Sequence, residues 1–484
     1  MYSGYSFYNR QIASNVSQVN DPNAAYRGME PHWILLEDLI AGGTFEVRRR
    51  HRKYLPQAVR EQDDSYDRRL ATSVVPPFVK RIELMLAGML TRKPVRLNDV
   101  SDVVREQLFD TDLQGNDLNQ WLFLTSRLCL RYGHVGVLVD APAAGSNGRP
   151  YWVTYTPRDI LGWRTEVVDG AQKLTQLRLM ERLIVPDGEF GEKEVEQIRV
   201  LTPGAFQLYQ REDDKDFRII DEGTTSLNEI PFAVAYSNRT GVFESRPPLE
   251  DIAELNLKAY QMQSDLDNQL HISAVPFLSL FGFPTSAEEV TAGPGEALAM
   301  PQDARAEYIS PPSDAFAAQF QRLEQIEKQI NSLGLSAVLG QKLSAETAES
   351  KRIDRSQGDS TMMVIAQQMQ DMIDNCLRFH AMYLNIAEVG SSLVNRDFIG
   401  DRLEPQEIQA MLQLYTAGTI TQETLLTQLS DGECLGDDFD VEAEIEATQN
   451  GGLVEAAPEQ IMATEEPQMP EETEDMEVED VLPA

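Results

Sequence analysis

Two proline doublets, Pro247-Pro248 and Pro311-Pro312, each stand at the head of a long helical pattern and so fix where two helices must begin. Proline lacks an N–H and is best tolerated in a helix's first turn. After the first doublet, Leu249, Ile252, Leu255, Tyr260, Leu266 and Leu270 recur at helical spacing, with Glu250 and Asp251 where the helix dipole favours acids. Pro276 stops that run. After the second doublet, Ser313 is a suitable N-cap, and Phe316, Phe320, Leu323, Ile326 and Ile330 form one apolar stripe. Between the helices, residues 275–312 are punctuated by Gly and Pro and read as a strand (VPFLSLFG), a turn-rich stretch (GPGEALAMP) and a short strand (EYIS). Two long helices therefore carry a small β-containing module between them.

The flanking chain changes period twice. Residues 30–92 read as helical, with Trp33, Leu36 and Ile40, then Val79, Ile82, Leu86 and Leu90, on apolar faces; the pattern continues over 105–132. From 135 to 237, VGVLVD, YWVTYTP, QLRLMERLIV, VEQIRVLTP and AFQLYQR alternate or are β-rich between Gly, Pro and Asp clusters, which predicts a mostly antiparallel sheet. A second helical regime spans Ala345 to Val389, with a stripe of Met362, Ile365, Met369, Met372, Ile373, Cys376, His380 and Tyr383 suited to core or subunit packing. Two further helices, EPQEIQAMLQLYTAG and TQETLLTQLS, form a hairpin pattern. The fold class is α+β, and 484 residues suit about three compact units.

Composition excludes several functions. Lys+Arg number 42 against 78 Asp+Glu, a net charge of −36, the reverse of what tight phosphate binding requires. Residues 431–484 hold 19 acids and no Lys or Arg; the stretch DFDVEAEIEA alternates acids with apolar residues, and 448–484 are too acidic and too poor in apolar residues to fold alone. Cys129, Cys376 and Cys434 are far apart, the five histidines are scattered, and no metal site or disulfide framework is expected. GxxxxGK[ST], GxSxG and HExxH are absent, so Asp140 at the end of VGVLVD reads as a turn residue rather than a magnesium ligand. No catalytic residue or cofactor is expected. The polar N-terminus reads as a disordered flexible arm, with Tyr2, Tyr5, Phe7 and Tyr8 as docking candidates in the alternative; it lacks the apolar core of a signal peptide, and AVPFLSLFGFP is too short to span a bilayer. A soluble protein made in the cytosol is expected. The run RRRHRK (48–53), followed by Glu61, Asp63 and Asp64, reads as a solvated or inter-subunit salt-bridging face.

Several segments resemble the portal proteins of tailed bacteriophages, the head-tail connectors of a large family in phages and prophages. They are WILLEDLIAGG (33–43), YLP (54–56), YDRRL (66–70), AGMLTRKP (87–94), GVLVD (136–140), RPYWVTY (149–155), DILGWR (159–164), PLEDIAELN (248–256), the strand at Pro276, the stretch from Gly293 to Tyr308, and ETAESKR (346–352). They run in order across residues 25–400, although RRRHRK and Val75-Pro76-Pro77 depart from the family pattern.

The resemblance implies a subunit with an N-terminal arm (1–23), a wing (24–245, helical then mostly antiparallel β) and stem helix 1 (246–272). A small clip (273–312), stem helix 2 (313–333), a tunnel loop (334–344), a long wing helix (345–400), a helical crown (401–447) and an acidic tail (448–484) follow. It implies a ring of about twelve copies at one capsid vertex, a virion component assembled in the host cytoplasm and lacking enzyme activity. Through the ring, double-stranded DNA passes without sequence specificity during packaging and ejection. The implied partners are the major capsid protein, the large terminase and then a head-tail adaptor; no membrane is involved. On that template Gln321, Gln325, Lys328, Lys342 and Ser344 are DNA-channel candidates, and Phe281, Phe283, Glu288, Glu289 and Arg305 are partner-binding candidates in the clip. The alternatives are another head-tail adaptor or capsid protein, and an acidic metal-dependent nuclease.

Overall fold

The computed structural model describes residues 18–142, 148–211, 216–273, 277–282, 303, 305–309, 313–336, 348–396, 398, 405–431, 434–435, 439 and 441–449. The fold is α+β, and the chain divides into two compact units, Met1–Ile399 and Gly400–Ala484.

Helix α1 (Ala24–Glu37) opens the first unit, capped by the Asn23 side chain, which accepts from the Tyr26 N–H at 2.8 Å. Where the sequence predicts continuous helix, a π-helical turn (Asp38–Gly42) intervenes before α2 (Gly43–Arg49) and a 3₁₀ turn (His51–Lys53). Helices α3 (Asp63–Thr72) and α4 (Phe78–Leu90), strand β1 (Arg96–Asn98) and α5 (Asp102–Gln107) follow, then a 3₁₀ turn (Leu108–Asp110). The helix expected over 105–132 is thus two, because Asp117 caps a new one, α6 (Leu118–Tyr132), by accepting from the Gln120 N–H.

Strands β2 (His134–Asp140), β3 (Tyr151–Tyr155), β4 (Ile160–Val168), β5 (Ala171–Asp187), β6 (Gly191–Thr202), β7 (Ala205–Gln210), β8 (Arg218–Thr224) and β9 (Phe232–Tyr236) form the β region. They build a three-stranded sheet of order β3-β2-β9 and a five-stranded meander of order β4-β5-β6-β7-β8, every pairing antiparallel. Two short paired strands, β10 (Arg239–Gly241) and β11 (Glu244–Ser245), lead into α7 (Glu250–Ser273). Beyond lie β12 (Phe277–Phe281), β13 (Arg305–Ile309), α8 (Ser313–Ser336), α9 (Ala348–Leu384) and β14 (Ser391–Leu393), which pairs with β1. The helix expected to reach Val389 stops at Leu384: Asn385 takes the left-handed φ of 56°, and the Ile386 N–H turns back to the Ala381 carbonyl.

The first unit is layered. Val135, Val137 and Val139 of β2 point with Trp152 into a helical core containing Met369, Met372, Ile373 and Cys376 of α9. The Met stripe is core packing. Leu138 and Phe232, on the other face, meet Leu177, Leu179 and Leu201 of the larger sheet. That sheet's far face carries Ile198 and Val200 against Tyr26, Met29 and Trp33 of α1. Because both faces of β2 are covered, its sequence is nearly all apolar. Gly136 is required there, since a Cβ would lie 2.2 Å from the Phe232 ring.

The second unit contains α10 (Pro405–Thr416), α11 (Gln422–Asp431) and α12 (Val441–Gln449). The alternating acidic segment is therefore helical from Val441, and Thr448 and Gln449, assigned by sequence to the tail, belong to it; 450–484 lie outside the described residues. Of the expected N-terminal arm, residues 1–17, with its four aromatics, also lie outside. Val19 is already fixed, its carbonyl accepting from the Arg178 guanidinium at 2.8 Å.

Candidate functional site

Helices α7 and α8 have the same length, 24 residues each, or about 36 Å at 1.5 Å per residue. They pack on each other. Leu323 of α8 is half-buried and Ile326 and Ile330 are fully buried, while Phe316 is half-buried and Phe320 is exposed. Helicity runs to Ser336, past the expected end at 333. At Gly334 an added Cβ would come 2.6 Å from Ile82 Cδ1 on α4, so any larger residue there requires Ile82 to move.

Strands β12 and β13 form an antiparallel ladder of five pairs, from Phe277↔Ile309 to Phe281↔Arg305. Three residues separate α7 from β12, and three separate β13 from α8. The two helices therefore meet the open end of one ladder.

The root of α7 is held by polar contacts that the sequence pattern does not announce. Asn256, fully buried, accepts from the Val79 N–H at 3.1 Å and donates to the Pro76 carbonyl at 2.9 Å. Helix α4 begins after Pro77, which supplies no side-chain cap, so an amide from another helix satisfies one of its first-turn N–H groups. Tyr260 bonds Ser73 at 2.9 Å, Gln261 donates to the Tyr54 carbonyl at 2.9 Å, and His32 pairs with Glu250. Buried Arg69 holds Glu61 at 2.7 Å and Asp265 of α7 at 3.1 Å. Its hydrogen bonds lower the Glu61 carboxyl below its usual range, whereas burial raises Asp265 and Asp267.

The structure brings three of the five channel candidates together. Gln321, Gln325 and Lys328, at i, i+4 and i+7, form an exposed stripe on α8. Gln325 accepts from Arg322 at 3.3 Å and Lys328 lies 3.9 Å from Glu324. Lys342 and Ser344 lie outside the described residues. Among the hairpin candidates, Phe281 is exposed and stands opposite Arg305, which pairs with Glu307 at 2.7 Å; Phe283, Glu288 and Glu289 lie outside.

Two residues noted from the sequence have different surroundings from those expected. Asp140 is an ion-pair partner rather than a simple turn residue, 2.8 Å from Arg199, which also holds Glu181 at 2.7 Å. Asp140 and Arg199 border a cavity of about 750 Å³ lined also by Phe206, Asp221 and Tyr383; its one arginine is already neutralised by two carboxylates. The run RRRHRK finds its acids mostly upstream: Arg50 and Lys53 approach buried Asp38 at 3.2 and 4.0 Å, Arg49 binds Glu46 at 2.6 Å, and only Arg52 reaches Asp63, at 4.0 Å. Arg48 donates to the Ser73 carbonyl.

Among the described residues no group of three or more His, Cys, Asp or Glu could hold a metal ion, and no helix is long and apolar enough to cross a membrane. A family described as a domain of unknown function (DUF4055) matches residues 248–384. That span starts at the second proline of the first doublet and ends with the last residue of α9. No curated protein matches the sequence. Among solved structures, the chain is similar to one in the neck of an empty GTA particle computed with C6 symmetry, at 11% identity and a TM-score of 0.40, over 81% of this chain and 99% of that one. It is similar to a chain in the neck of a native GTA particle computed with C12 symmetry, at 10% identity and 0.38, over 78% and 95%. A third is in the virion of a native gene transfer agent particle, at 10% identity and 0.41, over 79% and 98%.

Proposed function

We propose that this chain is a portal subunit of a tailed-phage-like particle, forming a ring of about twelve copies through which duplex DNA enters and leaves the capsid. One observation carries the reading: two helices of 24 residues each, packed together, meet a β-ladder at one end, and α7 is bolted to the helical body at the other. A stem must present a rigid rod to the channel and keep a docking module at its tip, and this arrangement meets both needs. The order of the portal-like segments across residues 25–400 supports the same reading.

On this reading α7 and α8 are the stem and β12–β13 belong to the clip, where the terminase docks for packaging and an adaptor replaces it. The body that includes the two sheets is the wing, facing the capsid protein. The charge balance suits the task. A channel wall rich in Lys and Arg would hold phosphates and brake the duplex, whereas a chain that is still net −17 over residues 1–430, outside the acidic segment, leaves it to slide. The Gln321–Gln325–Lys328 stripe, two neutral amides and one lysine beside Glu324, offers weak, sequence-independent contact.

Packaging by particles carrying Lys328→Glu together with Lys342→Glu tests the channel assignment. Rings of unchanged mass with altered DNA packaging or retention are expected. Rings that package and retain DNA as the wild type does would refute the assignment of these residues.

A further inference from the structure

The basic run at 48–53 is not used by a channel or a clip, and it lies beside an exposed aromatic. On α2 and the following 3₁₀ turn, Phe45, Arg49 and Arg52 fall at i, i+4 and i+7; Phe45 is 74% exposed, and both arginines are exposed, Arg49 bonded to Glu46 and Arg52 over the Tyr66 ring. Residues 44–72 carry eight Lys and Arg against five Asp and Glu, in a chain whose overall balance is strongly acidic.

A second stripe has the opposite sign. On α5 and its 3₁₀ continuation, Asp102, Glu106 and Phe109 also fall at i, i+4 and i+7, and Val103 and Leu113, close in sequence, are exposed as well; Phe109 is 73% exposed. Residues 99–117 carry six acids and one base. Leu113 holds a φ of 61°, a conformation that costs energy in a branched residue and here keeps an apolar side chain in water. Two exposed phenylalanines, one edged mostly by bases with Glu46 among them and the other mostly by acids with Arg105 among them, are the ingredients of an aromatic anchor with a polar rim.

We propose that the Phe45–Arg49–Arg52 stripe of one copy of this chain docks on the Asp102–Glu106–Phe109 stripe of the next. The contact joins two different surfaces, and such heterologous contacts repeat around a ring when their rotation closes. The proposal rests on the ring reading above and names a contact that builds the ring. The intrachain partners compete unequally: Arg52–Asp63, at 4.0 Å and exposed on both sides, is loose and salt-screened, whereas Arg49 is held by both carboxylate oxygens of half-buried Glu46 and must share or trade that pair for a partner's carboxylates. Nucleic acid is the weaker match for the basic stripe. Asp63, Asp64 and Asp67 stand exposed close behind it and would repel phosphate.

Full-length Arg49→Glu/Arg52→Glu and Asp102→Lys/Glu106→Lys proteins test the contact, by mass photometry at matched concentration and ionic strength, with circular dichroism and melting as folding controls. Each reversed protein alone should self-associate about tenfold more weakly than wild type, because every contact then opposes like charges. An equimolar mixture should recover assembly to within about threefold of wild type, since alternating copies restore opposite charges at every contact. Wild-type assembly by both reversed proteins alone overturns the proposal, as does a folded mixture that stays dissociated. If Arg49→Glu/Arg52→Glu loses only duplex-DNA binding while self-association is unchanged, the stripe belongs to nucleic acid and the proposal also falls. A wild-type ring indifferent to these changes refutes this contact alone, whereas a wild type that never assembles removes the ring reading with it.

Discussion

Replacing Asn256 tests how the candidate stem is joined to the body. Asn256→Leu keeps the approximate volume and removes both polar atoms, leaving the Val79 N–H and the Pro76 carbonyl buried without that amide. Each orphaned group costs about 1–3 kcal/mol, and the apolar side chain returns part of that, so a net loss of about 2–4 kcal/mol is expected. Asn256→Asp adds a sign. A protonated carboxyl reproduces the acceptor and the donor, whereas the carboxylate cannot donate to Pro76 and would be a charge at a site with no exposure. Its folded pKa should therefore rise above the unfolded value of about 3.9, so stability is lost as pH rises through the raised value. Urea unfolding followed by tryptophan fluorescence suits the measurement, because Trp33, Trp121 and Trp152 are all fully buried. The difference between Asn256→Asp and wild type should be smaller at pH 5 than at pH 8. An Asn256→Leu protein within about 0.5 kcal/mol of wild type, or an Asn256→Asp difference that does not change with pH, would refute the capping argument.

Three further perturbations have definite signs. Burial pushes His134 down to about 3 and, with some help from Arg149, His380 down to about 4, so both stay neutral in the fold while the unfolded chain takes up protons near 6.5; stability should fall as pH drops below about 6.5, and His134→Gln should flatten that slope in denaturant midpoints. Glu83 is fully buried, with Arg131 at 2.8 Å and Arg127 at 3.4 Å, so Glu83→Leu should cost about 3–5 kcal/mol in the same assay. Gly133 holds a φ of 91° at the end of α6, and a Cβ there would lie 2.5 Å from the Ser245 hydroxyl; Gly133→Ala should lower stability by more than about 1 kcal/mol in thermal melts.

Much of this architecture is legible in the sequence where one period dominates. The proline doublets mark the entries to α7 and α8 to within a few residues, and the alternation over 135–237 becomes sheet paired antiparallel throughout. The Gln321–Gln325–Lys328 stripe is legible for the same reason, as the polar complement of an apolar helix face. What escapes sequence reading is set by contacts between distant segments. The π-helical turn at Asp38–Gly42 keeps helical spacing in the sequence, yet it holds Asp38 where Tyr54, Arg50 and Lys53 converge. Asn256 resembles any polar residue on a helix until α4 is seen to start without a cap of its own; Pro77 ahead of that helix is the one sequence signal that a donor group must be satisfied from elsewhere. In the alternating acidic stretch, charge spacing suggests neither helix nor strand strongly, and the helix Val441–Gln449 wins.

The central claim is a ring, and the mass and symmetry of the purified full-length protein test it most directly. Light scattering with negative-stain class averages should give about twelve subunits of 54.4 kDa around an axial hole wide enough for a duplex of ~20 Å. A protein that remains a monomer or dimer at every concentration and ionic strength tried, with no annular class, would contradict the account.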